Sequence, residues 1–451
     1  MNTLSAGNWH KQGTTVPDQL GLYALFLLII LNPFHFFLFD KVVYYRELLA
    51  LIFFGLCCQK FFSCGKSIFN QTYAAQTELF FILLFPALLL FFAMFDPGRN
   101  LYEVDITGAS LHLKTVNPAL YVLRNAFLYI PMVVYLALRG LTEQEINKLA
   151  LITVLIAPIS VLSFLYHEQI ATIFTLPVLT KLGGGSGLNY NSYVPYLTFP
   201  ALSAMYLMGS ASSSKFVKLI SLAILIVLFV YICLSTSRQS VLFVVLSAVV
   251  FFLYNRESSL VKKLMFLSIA VLCIFISLQA LNRHADLKNA SEVELHQRMV
   301  DKYVTLGGAI STPRIKILQH GLSLLHPSEY LTGAGLSSVI NSGPHNDYVR
   351  WMQRVGILVM FIGFVPFFLA LGQCYRRNYF IKNNALTLYI LLSIMFTLYH
   401  SFFGYPREDA YQAIYCFLGL AVFCGIKKDS KFVLSSRLIN CNMSMHKHAM
   451  Y

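Results

Sequence analysis

Charged residues are scarce in this sequence. Only 12% of its 451 residues are Asp, Glu, Lys or Arg, whereas 57% are hydrophobic. Soluble domains usually carry about 25% charged residues, because a globule in water needs polar side chains to cover its surface. The shortage of charge therefore excludes a soluble protein.

The cysteines also lack the spacing of a disulfide framework or a metal site. The chain has nine cysteines, but none forms a Cys-x-x-Cys pair and none lies in the one long hydrophilic segment, 282–350. A disulfide framework or a zinc site is therefore not expected. No short apolar run stands before a small-residue cleavage site at the start of the chain, so we expect an uncleaved first helix.

Long apolar runs are abundant. They extend over roughly 16–22 residues, the length of a helix that crosses about 30 Å of hydrocarbon, and they lack the short alternation of outer-membrane barrels. The pattern predicts an all-α polytopic membrane protein with about twelve transmembrane helices. We expect these helices at 21–39, 47–62, 79–95, 119–138, 149–166, 192–208, 216–236, 240–254, 264–281, 351–372, 385–402 and 410–426.

Basic residues predict the orientation of these helices. The formal net charge is +14, and Lys and Arg concentrate in alternate short loops, as the positive-inside rule describes for cytoplasmic loops. We therefore expect both termini in the cytoplasm and no binding of nucleic acid. The chain divides into 1–281 with about nine transmembrane helices, a large outer loop with short helices at 282–350, 351–426 with about three transmembrane helices, and a cytoplasmic tail at 427–451.

A dense polar cluster, Gly343–Trp351, ends the large loop and leads into an apolar run. His345 can accept or donate a proton near neutral pH, although a hydrogen-bonded structural histidine is the alternative. Asn346 and Asp347 either orient the imidazole or bind hydroxyl groups of a substrate. A polar cluster at the end of a membrane helix, below a large loop, is typical of a membrane enzyme.

Two arginines are candidates for binding an anion. Arg238 lies between two apolar runs, where it is costly unless it pairs or faces water; the alternative is an arginine that reaches the headgroups. Arg314 lies in the first turn of a helix predicted to begin at Thr312-Pro313, and helix N-termini attract anions. The alternative for Arg314 is a solvated loop residue. Together the two guanidinium groups could hold a pyrophosphate.

Other polar residues are weaker candidates. The glycine-rich segment Gly183–Asn191 lacks the Lys-Ser/Thr end of a P-loop, but Asn189 and Asn191 could contact a substrate. Arg124 lies inside a predicted helix, where either a structural ion pair or a cavity explains it. Gly333-Ala334-Gly335 is interpreted as a tight turn that carries no chemistry of its own.

Three motifs combine in this chain. A Ser-Arg pair at Arg238 is followed four residues later by Leu242, Arg314 precedes the Gly333-x-Gly335 turn, and His345-Asn346 is followed after nine residues by Gly356. With one large late loop among about twelve helices, the arrangement resembles the O-antigen ligase and polymerase family of bacterial envelope glycosyltransferases. The motifs cover about 190–370.

The resemblance implies a GT-C-like membrane fold and glycosyl transfer on the periplasmic face of the bacterial inner membrane. The donor would be an oligosaccharide on undecaprenyl pyrophosphate. The acceptor would be another lipid-linked repeat unit for a polymerase, or lipid A-core for a ligase. Neither a metal nor a nucleotide cofactor is expected. Expected partners are the lipid bilayer and a chain-length regulator or other envelope-assembly protein.

The resemblance also implies roles for residues. Arg238 and Arg314 would stabilise the leaving pyrophosphate, and His345 would be the base for the acceptor hydroxyl or a contact of the leaving group. The ligase pattern has a small or hydroxylic residue three positions after the glycine, where this chain has Val359, so we expect a polymerase rather than a ligase. From their residue types and positions, and not from the resemblance, we expect the substrate-binding residues to be Asn346, Asp347, Asn189, Asn191 and Arg124.

A lipid-linked sugar transporter is the alternative from a different class of protein. It would place charged residues along several helices that line a central path. Here the informative polar residues gather at the outer ends of helices, which favours an enzyme.

Overall fold

The structure is a computed structural model, and the part of the chain that it describes is almost entirely α-helical, as predicted. A two-stranded antiparallel hairpin is the exception among these residues. The described residues are 16–31, 36–38, 41–43, 45–64, 76–95, 127–165, 190–234, 238–255, 322–336, 346–376, 385–403 and 412–426, with single residues at 260, 264, 267, 268, 271 and 319.

The helices and strands follow one another in a simple order. In the described residues they are α1 (Val16–Leu31), β1 (Phe36–Leu38), β2 (Lys41–Val43), α2 (Tyr45–Cys64), α3 (Gln76–Met94), α4 (Ile130–Arg139), α5 (Glu143–Leu165), α6 (Tyr190–Gly209), α7 (Lys215–Leu234), α8 (Arg238–Tyr254), α9 (Glu329–Thr332), α10 (Asp347–Arg376), α11 (Ala385–Ser401) and α12 (Gln412–Gly425).

The helices are those of a membrane protein. Within the described ranges, four are both long and apolar enough to cross a bilayer, namely α3, α5, α7 and α10, and six others are shorter apolar helices. The number of twelve crossings stays a prediction. Most of the predicted helix at 264–281 lies outside the described residues.

The first predicted helix was misplaced. The expected span was 21–39, but α1 ends at Leu31, and Phe36–Leu38 pairs with Lys41–Val43 as a hairpin. Pro33 explains the early end, because a proline cannot continue a helix and disfavours helical geometry in the residue before it. The apolar run continues through the first strand, Phe36–Leu38, so hydropathy alone did not show the change.

Helix α10 folds back on itself at Gly356. This glycine has φ 77° and ψ 170°, and the rings of Tyr348 and Phe364 stack with centroids 4.2 Å apart. In a straight helix these two residues would stand about 24 Å apart. The predicted helix at 351–372 was therefore wrong at its start: 351–355 belong to the first arm, whereas 357–372 lie in the second. The element is a helical hairpin with a first arm at 347–355 and a second arm at 357–376. The spacing of apolar residues in the sequence does not predict such a reversal of chain direction.

Helix α6 lies at the centre of the bundle. It contacts α5, α7, α8, α11 and α12, and its side chains from Val194 to Leu207 are buried. Phe199 stacks on Tyr415 of α12 with ring centroids 4.5 Å apart, and Tyr206 stacks on Tyr389 of α11 at 4.6 Å. A helix that is buried all round provides a fixed core against which the other helices are placed.

Polar contacts tie helix ends together in two layers. In the layer called the lower end, Asp18 of α1 pairs with Lys60 of α2 at 2.6 Å, and Asn255 after α8 donates from Nδ2 to the carbonyl of Gly209 in α6 at 3.3 Å. The layer called the upper end contains the starts of α8 and α10 and the end of α11. The candidate site lies at the upper end.

Candidate functional site

The predicted site residues are described to different extents. The side chains of Asn346 and Asp347 are described in full. For Arg238, the first residue of α8, and Asn191, the second residue of α6, only the backbone is described. The remaining candidates, His345, Arg314, Asn189 and Arg124, lie outside the described residues.

Asn346 caps the first arm of α10. Its Oδ1 accepts a hydrogen bond from the Val349 N–H group at 3.1 Å, which is the bond that an N-cap residue makes with the third helical residue. Its Nδ2 donates to the carbonyl of Phe402, just after α11, at 3.3 Å. The amide side chain therefore holds the start of α10 against the end of α11, a structural role that was not expected from the sequence.

Asp347 is fully buried beside this cap. Its Oδ2 accepts a hydrogen bond from the Ser401 hydroxyl at 3.4 Å. A carboxylate in the first turn of a helix is stabilised by the N–H groups of that turn. The contact gives α10 and α11 a second polar connection, made by the residue that directly follows His345-Asn346 in the sequence.

Three consecutive residues at the end of α11 contact three other helices. The Tyr399 hydroxyl donates to the Gln239 carbonyl in α8 at 3.0 Å. His400 Nε2 lies 3.2 Å from the Thr198 hydroxyl in α6, and Ser401 contacts Asp347 in α10. We missed these residues from the sequence, although polar side chains inside an apolar run are expensive and often functional.

The buried polar residues around these contacts, at the upper ends of the four helices, form one group, called here the upper polar cluster. Each is at most 7% exposed. The cluster brings the start of α8, where Arg238 lies, to the same end of the bundle as the start of α10, which His345 precedes by two residues. Its members are Thr198, Gln239, Ser240, Asn346, Asp347, His400 and Ser401.

The Gly333-x-Gly335 turn docks on the tip of the α10 hairpin. The N–H group of Ala334 donates to the Gln353 carbonyl at 2.7 Å, and that of Gly335 donates to the Arg354 carbonyl at 3.1 Å. The reversal at Gly356 ends the first arm, so these carbonyls lack the usual helical donors. The two glycine motifs are thus one structural unit, in which the large loop is fastened to the helix that follows the candidate site.

An apolar groove of about 690 Å³ lies between α8, the second arm of α10 and α11. Tyr399 lines it at the side of the upper polar cluster, and Leu371 and Leu392 are among its aliphatic walls. Phe368 and Tyr375 on its rim are exposed, 46% and 72% respectively, so the groove opens on the surface of the bundle. Its shape and chemistry fit a hydrocarbon chain.

Within the described helices, no group of three or more His, Cys, Asp or Glu side chains could hold a metal ion. No protein-family model matches the chain, and a search of curated proteins found no match for it. The resemblance to the O-antigen ligase and polymerase family therefore stays a prediction from the motifs.

Proposed function

We propose that this protein is a membrane glycosyltransferase that polymerises lipid-linked polysaccharide repeat units. In this proposal it transfers a glycan from undecaprenyl pyrophosphate to an acceptor sugar on a second lipid-linked unit. The observation that carries the proposal is the juxtaposition at the upper end, where α11 joins the start of α8 to the start of α10 beside an apolar groove.

The groove and the polar cluster together suit an amphiphilic substrate. The chain of a lipid substrate already lies in the hydrocarbon of the bilayer, so the groove selects it mainly by shape and van der Waals packing. The polar headgroup would then lie at the upper end, near Arg238 and His345. A water-soluble substrate would have no use for a groove that opens on the apolar surface of the bundle.

The chemistry of the transfer follows from the residue types. The acceptor hydroxyl attacks the anomeric carbon of the donor sugar while the bond from that carbon to the pyrophosphate oxygen breaks. His345 takes the hydroxyl proton, and Arg238 and Arg314 neutralise the charge on the pyrophosphate, which leaves still attached to its lipid. Direct displacement inverts the anomeric centre.

The proposed orientation places the upper end in the periplasm and both termini in the cytoplasm of a bacterium. The lower end would then face the cytoplasm, and this fits the basic residues there, such as Lys60, Arg139, Lys215 and Lys218, because cytoplasmic loops are enriched in Lys and Arg. A chain-length regulator or another envelope-assembly protein would be a partner on the periplasmic side.

Val359 favours a polymerase over a ligase. It lies in the second arm of α10, one turn after Gly356, and is 3% exposed. A buried apolar side chain there cannot supply the small or hydroxylic group of the ligase pattern. We therefore assign the lipid-linked repeat unit, and not lipid A-core, as the acceptor.

The test is a strain that lacks this protein, with its lipopolysaccharide analysed on a gel beside its lipid-linked sugars. Core carrying a single repeat unit supports the polymerase, since ligation then continues. Bare core with long polymer on the lipid carrier would show a ligase. Bare core with single lipid-linked units accumulated on the cytoplasmic side would show a transporter, and an unchanged ladder would point to another glycan.

The residue roles are tested by complementing that strain. His345→Ala and Arg314→Ala should abolish the polymer ladder while the protein is inserted at normal levels. His326→Ala is the matched control, because His326 is exposed in the same loop and should be dispensable. Full activity of either site variant would overturn the mechanism.

A further inference from the structure

We infer that Tyr399, His400 and Ser401 form a positioning element that aligns the start of α8 with the start of α10, and that His400 is its anchor. The inference deepens the proposed function, on which its kinetic part rests. Each residue contacts a different helix, so the end of α11 acts as a brace between the segments that carry Arg238 and His345.

The anchor is the contact of His400 with central helix α6. His400 is 1% exposed and is surrounded by the rings of Phe243, Phe396 and Tyr399, with centroids 4.7 to 5.2 Å from the imidazole. An imidazole held on these sides has a single orientation. The polar contact of its ring with Thr198 therefore sets the rotation of α11 against the fixed core of the bundle.

The hydrogen bonds define which ring nitrogen carries the proton. The Thr198 hydroxyl donates its only hydrogen to the Pro195 carbonyl at 2.7 Å. The oxygen can then only accept from His400 Nε2, which lies 3.2 Å away, so Nε2 is protonated. A glutamine at position 400 can place its amide NH₂ group near the same point, whereas leucine cannot donate.

The contacts of Tyr399 and Ser401, on either side of His400, connect the position of α11 to the candidate site. Tyr399 fixes the backbone of Gln239, the residue after Arg238. Ser401 fixes the carboxylate of Asp347, two residues after His345. A rotation of α11 would therefore move the starts of α8 and α10 relative to each other, and displacements of about 1 Å at a reacting centre can cost about a hundredfold in rate.

The same two helices offer a matched control. Deeper in the bundle, the Tyr389 hydroxyl of α11 lies 3.2 Å from the Ser203 hydroxyl of α6. Both pairs are buried, and both join α6 to α11. Only the His400–Thr198 pair stands next to residues that contact α8 and α10, so a role in packing alone would make the two pairs equivalent.

The kinetic test compares variants of purified protein in nanodiscs, with a lipid-linked repeat unit as substrate. His400→Leu and Thr198→Val should lower kcat at least about tenfold, with the KM of the donor changed less than about twofold, because alignment of reacting groups is lost rather than binding. His400→Gln should recover most of kcat. Tyr389→Phe and Ser203→Ala should leave kcat near the wild-type value.

A second readout does not depend on activity. Spin labels on unnatural amino acids at Leu242 of α8 and Leu358 of α10, both exposed, report the distance between the two helices. We expect a broader distance distribution in His400→Leu, a wild-type distribution in Tyr389→Phe, and restoration in His400→Gln.

The two readouts separate the inference from the proposed function. If the wild-type protein transfers no glycan but the distances respond as expected, the proposed function fails and the brace stands. If the distances stay unchanged in His400→Leu, or if Tyr389→Phe broadens them equally, the positioning element is wrong, whatever the activity.

Discussion

Gly333 and Gly356 each lie against the backbone segment that precedes the other glycine. Both have positive φ, 75° and 77°. A Cβ atom on Gly333 would collide with the backbone of Arg354, and a Cβ atom on Gly356 would collide with the backbone of Leu331. The turn of the large loop and the tip of the α10 hairpin can therefore approach this closely only because neither position carries a side chain.

This close approach predicts that Gly333→Ala and Gly356→Ala each lower stability by about 2 kcal/mol or more. The positive φ with extended ψ, which is essentially restricted to glycine, adds strain of about 1–3 kcal/mol to a backbone collision. Gly55→Ala is the control, since nothing lies within 4 Å of a Cβ atom there. Thermal unfolding in detergent measures the change. Equal melting temperatures for Gly356→Ala and Gly55→Ala would contradict this close approach.

The N-cap at Asn346 predicts a graded effect on stability. Asn346→Ala should cost about 1 kcal/mol, because the Val349 N–H group loses its acceptor, whereas Asn346→Ser should retain most of the stability. Chemical unfolding in detergent measures both variants. A wild-type stability for Asn346→Ala, together with a raised KM for the donor, would instead indicate the substrate contact that we expected from the sequence.

The lower end is stabilised by a partly buried ion pair between Arg139 and Glu145. The two guanidinium nitrogens contact the two carboxylate oxygens at 3.1 and 2.6 Å, and the side chains are only 4% and 13% exposed. Glu145 also accepts from the Thr142 N–H group as part of a capping box.

Glu145→Gln should destabilise the protein by about 3 kcal/mol, because it leaves a buried guanidinium without its counter-ion. Glu143→Gln, at an exposed residue in the same turn, should cost less than about 1 kcal/mol. The melting temperatures in detergent give the comparison. Similar values for the two variants would show that the pair contributes little.

The groove predicts selectivity for long lipid chains. Gly372 lines the groove and has nothing within 4 Å of a built Cβ atom, so Gly372→Leu should fold and fill part of the space. We expect the KM for an undecaprenyl-linked donor to rise about tenfold, equivalent to about 1.4 kcal/mol of lost binding, with little change for a short-chain analogue. Gly55→Leu, at an equally open glycine, should change neither value.

The two ends of the bundle should face opposite compartments. Ala211, in the turn between α6 and α7, and Ser328, in the large loop, are both exposed. In a variant without the native cysteines, Ser328→Cys should react with a membrane-impermeant maleimide in spheroplasts. Ala211→Cys should react only after the membrane is opened. Labelling of both in sealed spheroplasts would contradict the orientation.

The helices were the part of the fold that could be predicted. Apolar runs such as 79–95, 216–236 and 385–402 lie close to α3, α7 and α11, because burial in a bilayer demands a continuous apolar segment of helical length. The hairpin at 36–43 was missed, since its first strand, Phe36–Leu38, is as apolar as the helix before it.

The candidate site was predicted as a set of segments but not as an arrangement. Local signals placed Arg238 in a turn between two helices and Asn346-Asp347 in the loop just before one, because polar residues interrupt apolar runs there. In the structure the helices begin at Arg238 and at Asp347. Hydropathy reports that a segment is apolar and how long it is, but it does not report the direction in which the chain continues. The reversal at Gly356 and the cap made by Asn346 became visible only in the structure.

The class of the protein, its helices and the segments that carry its polar motifs can be predicted from the sequence, because they depend on residues close together in the chain. The brace at Tyr399–Ser401 and the close approach of Gly333 and Gly356 depend on partners far away in it; His400 and Thr198 are 202 positions apart. Such contacts follow from how the helices pack around α6, and therefore only the tertiary structure decides them.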